Sequence, residues 1–123
     1  MLHRCLKDHP KISGFSQTNV ARDEGQGLQS VHEPAATYGG VGSFGFDRRS
    51  FLDEDSSIAT KDNAKKIFNE WSRYWNLNKN ILVEKFPPNL VKTRFLQELF
   101  PNSVFVAIIR HPIAVSYSTR KWA

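Results

Sequence analysis

The chain of 123 residues contains one cysteine and one methionine, and it has no apolar run of membrane-spanning length. A lone Cys5 excludes a disulfide framework within the chain and any cysteine-based zinc site. A bilayer helix needs about 20 consecutive apolar residues, and no segment approaches that. The N-terminus, Met1-Leu-His-Arg-Cys-Leu-Lys-Asp-His, lacks the apolar stretch of a signal peptide. These absences predict a cytoplasmic protein without a membrane span. The four histidines are dispersed, so no metal site is expected. Neither a Walker loop (G-x-x-x-x-G-K, then Ser or Thr) nor a G-x-G-x-x-G string is present. A nucleotide kinase of P-loop fold would need that Walker lysine and a magnesium-binding hydroxyl, which argues against one.

The charge is distributed unevenly. The formal net charge is +5, yet residues 1–60 carry 6 basic and 8 acidic side chains, while residues 61–123 carry 11 and 4. A basic half suits an anionic ligand, and it equally suits a solvated Lys/Arg surface. Nucleic acid is disfavoured as the partner, because no reader motif and no aromatic platform interleaved with Lys or Arg is present.

Leu2, Cys5, Leu6 and His9 fall at helical spacing, and Pro10 stops the pattern. Residues 11–58 hold all 7 glycines and no sustained period. They read as one long irregular region, with a short helical turn within Gln26 to Val31. So long a loop in a small domain is usually functional or marks missing partners. From residue 60 the chain becomes regular. Thr60 or Asp62 caps a helix whose Ala64, Ile67, Phe68, Trp71 and Trp75 form an apolar stripe. Ile81-Leu-Val reads as a short buried strand. Pro87-Pro-Asn opens a helix over residues 89–100, with Val91, Phe95, Leu96, Leu99 and Phe100 facing the core. The unbroken run Val104-Phe-Val-Ala-Ile-Ile predicts a central strand covered on both faces, and Ala114 to Trp122 reads as a final helix. Helix, strand, helix, strand and helix in residues 60–123 make the class α/β, and the whole of 1–123 a single domain.

Ligands of open α/β sheets bind beyond the carboxyl ends of the strands. Glu84-Lys85 and Arg110-His111 follow the two expected strands and would meet at that edge. Arg110, between a strand end and a helix start, is suited to phosphate through its guanidinium fork and the free backbone N–H groups beside it. Ser116 and Ser118 would add hydroxyls. The plainer alternative pairs Arg110 with Glu84 and leaves the serines satisfying local backbone. His111 reads as a polar loop residue, His3 and His9 as surface or packing residues, and Asp53-Glu-Asp as a solvated loop. Asp23-Glu24, in glycine-rich chain, is a candidate general base or a plain surface acid.

Several strings taken in order carry a resemblance. Leu2-His-Arg-Cys-Leu-Lys-Asp-His-Pro, Ile12-Ser-Gly-Phe, Asp23-Glu-Gly-Gln-Gly-Leu-Gln-Ser-Val, Val83-Glu-Lys-Phe-Pro-Pro-Asn-Leu, Arg94-Phe-Leu-Gln-Glu-Leu-Phe-Pro-Asn and Ile109-Arg-His-Pro-Ile-Ala-Val-Ser-Tyr-Ser resemble the sulfotransferase family, in the branch related to tyrosylprotein and heparan-sulfate sulfotransferases. The resemblance implies a P-loop-like, three-layer α/β/α domain with a short parallel sheet flanked by helices. It implies transfer of a sulfuryl group from 3′-phosphoadenosine 5′-phosphosulfate (PAPS) to an acceptor hydroxyl or amine on a small molecule, glycan or peptide, without a metal. On the matching positions, Arg110 and Ser118, with Ser116 as a weaker match, would hold the 3′-phosphate. Lys85 would border the sulfuryl group, and Glu24 would serve as base.

This sequence departs from the family pattern at Phe86, where a Ser or Thr is usual. The family's 5′-phosphosulfate loop, which precedes the helix that Met1–His9 resembles, has no counterpart, and neither does the C-terminal part. The resemblance therefore implies the middle of a longer domain, inactive by itself and open to self-association through an uncovered sheet edge. The alternative is a non-catalytic remnant or binding module of the same fold.

Overall fold

Pro10 separates the first helix, α1 (Leu2–Lys7), from a short strand, β1 (Ile12–Gly14). The computed structural model describes residues 2–40 and 42–120. β1 pairs in parallel with β2 (Ile81–Val83), with Ile12 opposite Ile81, Ser13 opposite Leu82 and Gly14 opposite Val83. Both strands therefore end at one edge.

Successive residues of a strand face opposite sides of the sheet. At Gly14 that side is α1: a Cβ built there would lie 3.0 Å from His3 Nε2. On the other side, Ser13 Oγ accepts the Asn76 N–H at 2.8 Å, just beyond α2 (Lys61–Ser72). Helix α1 covers one face of this short parallel sheet and the turn after α2 reaches the other, and the fold is α/β as its residues predict.

Thr60 caps α2, its hydroxyl accepting the Asn63 N–H at 3.2 Å, which satisfies one of the free donors of the first turn. The expected stripe faces inward. Ile67 and Trp71 are buried and pack with Phe15, Leu28, Phe95, Leu96 and Leu99. Trp75, past the helix end, stacks on Phe15 with ring centroids 4.8 Å apart. Phe68, at the stripe's margin, is exposed.

The helix expected over 89–100 is divided in two. A 3-10 turn spans Pro87–Val91 and α3 spans Thr93–Leu99, with Lys92 in a non-helical conformation between them. Lys92 is fully buried. Its Nζ donates to the Glu33 carbonyl at 3.3 Å and lies 3.1 Å from His32 Nδ1. Burial pushes the Lys92 ammonium down to about 8 and the His32 imidazole down to about 4.

The long region 11–58 contains more structure than its composition indicates. It includes β1 and five 3-10 turns, at Ala21–Asp23, Gly25–Leu28, Ala35–Tyr38, Phe44–Phe46 and Arg48–Ser50. Phe15, Leu28 and Ala35 from this region are buried. Glu54, expected to be solvated, is paired with Arg94.

The central strand expected at Val104–Ile109 is not formed. The segment carries no strand assignment, and Val104 and Ile109 are 88% and 92% exposed. Sheet membership needs a backbone partner about 4.8 Å away, and among the described residues the only pairing is β1 with β2. Apolar composition cannot supply that partner. The last helix, α4 (Pro112–Thr119), begins with Pro in its first turn and is exposed from Pro112 to Tyr117. The end of the expected helix, at Trp122, lies outside the described residues.

Candidate active site

The chain leaving β1 passes through a strained turn. Gln17, Asn19, Arg22 and Asp23 all have φ between 50° and 62°, a left-handed conformation that is costly for residues with a Cβ and tends to persist where surrounding bonds over-determine it. Thr18 supplies such bonds. Its hydroxyl donates to Asp23 Oδ1 at 2.6 Å and accepts the Val20 N–H at 3.1 Å. The Thr18 bond holds the Asp23 carboxyl below the usual carboxylate value, aided by Lys7, whose Nζ is 3.6 Å away.

This turn delivers Glu24 to the end of β2. Lys85 Nζ donates to Glu24 Oε1 at 2.9 Å, across 61 positions of sequence. The Glu24 side chain is the more enclosed of the two, at 14% exposed against 35% for Lys85. Gln26 Nε2 donates to the other carboxylate oxygen at 3.4 Å.

The next residue is held on both sides. The Gly25 N–H donates to Glu84 Oε1 at 3.1 Å, and its carbonyl accepts the Trp71 indole N–H at 2.9 Å. Trp75 reaches the same edge, donating from its indole to the Val83 carbonyl at 3.1 Å. Buried indoles usually find such partners, and here they tie the core stripe to the site. Glycine suits position 25, since a Cβ would lie 2.6 Å from Glu84 Cγ and would force the Glu84 side chain to shift. Glu84 is also bonded by the Asn89 amide. Burial pushes the Glu84 carboxyl up to about 7 against these two hydrogen bonds.

His3 of α1 borders the cluster. Burial, then the Lys85 and Lys7 ammoniums, lowers it from its usual value. Its buried Nε2 has no hydrogen-bond partner among the described residues. One edge of the sheet thus gathers three carboxylates, two lysines and an imidazole. Among the described residues no group of His, Cys, Asp and Glu is arranged to hold a metal ion, and no helix is long and apolar enough to cross a membrane.

Of the residues singled out from sequence, Glu24 and Lys85 are brought together. Arg110 is exposed on the irregular segment before α4, and Ser118 is half-buried within that helix. Among the described residues no hydrogen bond or ion pair joins either one to Glu24 or Lys85. Ser116 Oγ donates to the Pro112 carbonyl at 3.0 Å, one turn back, the local backbone role expected as its alternative. Arg110 does not pair with Glu84, whose oxygens are taken by Gly25 and Asn89. Sequence reasoning missed Lys7 and His3 as members of the site, and it placed Glu84 at that edge without giving it a role. The position of Glu84 at a strand's carboxyl end was the signal available for it.

The arrangement offers a carboxylate beside an ammonium with N–H groups to spare, at the open edge of a parallel sheet. That combination can take a proton from a nucleophile while stabilising negative charge on the group being attacked. A family model described as "Sulfotransferase family" matches residues 1–122. No curated protein matches the chain, and no solved structure does. With the α/β fold and the match over nearly its whole length, the chain belongs to the sulfotransferase family.

Proposed function

We propose that the protein transfers the sulfuryl group of PAPS to a hydroxyl or amine of a small-molecule, glycan or peptide acceptor. The contact between Lys85 and Glu24 carries this reading. Glu24 takes the acceptor proton as the acceptor oxygen or nitrogen bonds to sulfur. The bond between sulfur and the bridging phosphate oxygen breaks, and the electron pair leaves with the phosphate. Such in-line displacements depend on positioning and charge stabilisation. Lys85 spends one N–H on Glu24, leaving two for the sulfuryl oxygens or the departing oxygen. Arg110, with Ser118, binds the 3′-phosphate; Arg110 lies one residue before the cap of α4, where charge and free N–H groups favour an anion.

The test is transfer of radiolabelled sulfate from PAPS to a panel of phenols, amines, saccharides and peptides. The full-length protein labels at least one class, and Lys85→Ala in it lowers that rate by roughly 10²-fold, the scale for one lost charge-stabilising donor. Nucleotide binding without transfer to any class supports a binding module instead.

A further inference from the structure

Glu84 takes no part in the transfer chemistry above, yet its carboxyl joins the two loops that carry it. It immediately precedes Lys85, and its Oε1 accepts the N–H of Gly25, immediately after Glu24, at 3.1 Å. Its Oε2 accepts from Asn89 in the 3-10 turn Pro87–Val91. The charged groups facing it are Lys85, which favours the anion, and Glu24, which opposes it; Gly25 and Asn89 contribute neutral donors.

We propose that Glu84 is a positioning residue: by bridging the Gly25 amide and the Asn89 side chain, it holds Glu24 within hydrogen-bonding reach of Lys85. This rests on the roles given above to Glu24 and Lys85. The bridge survives either protonation state. As a carboxylate, Glu84 accepts both bonds. As an acid, its carbonyl oxygen accepts from Gly25 and its O–H donates to an Asn89 amide turned over to present oxygen. The acid is a weaker acceptor than the anion, so the Gly25 contact slackens as Glu84 gains its proton, which occurs at about pH 7.

Nuclear magnetic resonance of the isotopically labelled protein tests this without relying on catalysis. In wild type the Gly25 amide proton moves through one titration step near pH 7. In Glu84→Gln, an isostere that keeps both bonds, the step disappears while the amide stays hydrogen-bonded. In Glu84→Ala the amide loses its bond. The Lys85 Nζ resonance, assigned by its loss in Lys85→Arg, moves in Glu84→Ala as it does in Glu24→Gln and stays in place in Glu84→Gln. In the transfer assay Glu84→Ala lowers kcat about tenfold with KM for the nucleotide unchanged, and Glu84→Gln restores most of the loss. A Gly25 amide indifferent to both variants overturns the proposal, and so does a Lys85 resonance that moves only in Glu24→Gln. If wild type transfers no sulfate, the reading of function fails while the two resonances still decide the role of Glu84.

Discussion

The indole N–H of Trp71 donates to the carbonyl oxygen of Gly25 at 2.9 Å, across 46 positions of sequence. A core side chain on α2 thereby fixes the backbone that presents Glu24. With Glu84 on the amide side of Gly25, one residue carries the link between core packing and site geometry.

Gly25→Ala is accordingly expected to destabilise the protein. The new Cβ would meet Glu84 Cγ at 2.6 Å and Oε1 at 2.7 Å, and relieving such overpacking costs about 1–3 kcal/mol. Gly45→Ala is the control, because a Cβ there meets nothing within 4 Å, and it should change stability by less than about 0.5 kcal/mol. Urea midpoints of the two variants check this, and equal midpoints would remove the argument for a tight approach at Gly25.

Glu24→Gln and Arg110→Ala should fail in opposite ways. Loss of a general base lowers turnover by about 10²-fold or more with nucleotide affinity nearly intact. Loss of a guanidinium on the 3′-phosphate removes about 1.5–3 kcal/mol of nucleotide affinity, the scale of a hydrogen bond to a charged group. Titration calorimetry and transfer kinetics separate the two. Unchanged turnover in Glu24→Gln with a loss in Asp23→Asn would move the base to Asp23.

Ile109→Ser should leave stability within about 0.5 kcal/mol of wild type, because Ile109 is 92% exposed. In a buried central strand, truncating an isoleucine would cost about 2–5 kcal/mol. Thermal unfolding distinguishes these outcomes, and the larger loss would restore the strand that the apolar run predicts.

Stability below pH 7 should depend on Glu84 opposed by His32, with His3, also lowered by burial, adding to the His32 side. Glu84 is raised from 4.5 to about 7 on folding, so the unfolded chain ionises first and stability falls as pH rises across that window. His32 is lowered from 6.5 to about 4, so the unfolded chain binds the proton first and stability rises with pH across its window. The two slopes oppose one another where the windows overlap. Glu84→Gln should expose the His32 slope, giving a protein that gains stability as pH rises toward 6.5. The Glu84 contribution, from 4.5 to about 7, is on the order of 3 kcal/mol. Urea titrations at several pH values check it, and parallel curves for wild type and variant would refute the assignment.

The features legible in the sequence are those encoded locally. Helical spacing and a proline marked α1. The Thr60 cap and the stripe through Ile67 and Trp71 marked α2, and Phe95, Leu96 and Leu99 marked the inner face of α3. The apolar triplet before Glu84 marked β2. Each rests on contacts within one or two turns of chain, so residue order alone determined them. Tertiary structure decided the remainder. Strand β1, three residues including Ser13 and Gly14, has no period to read and exists because Ile81–Val83 lies beside it. Val104–Ile109 has the composition of a central strand, but a strand needs a neighbour, and its neighbours are not written in its own residues. Glu24 and Lys85 could each be nominated from type and position. Their contact across 61 residues depends on a turn held by Thr18, a glycine without a Cβ and a buried carboxyl, because a hydrogen bond between distant residues forms only where the fold has already placed both ends.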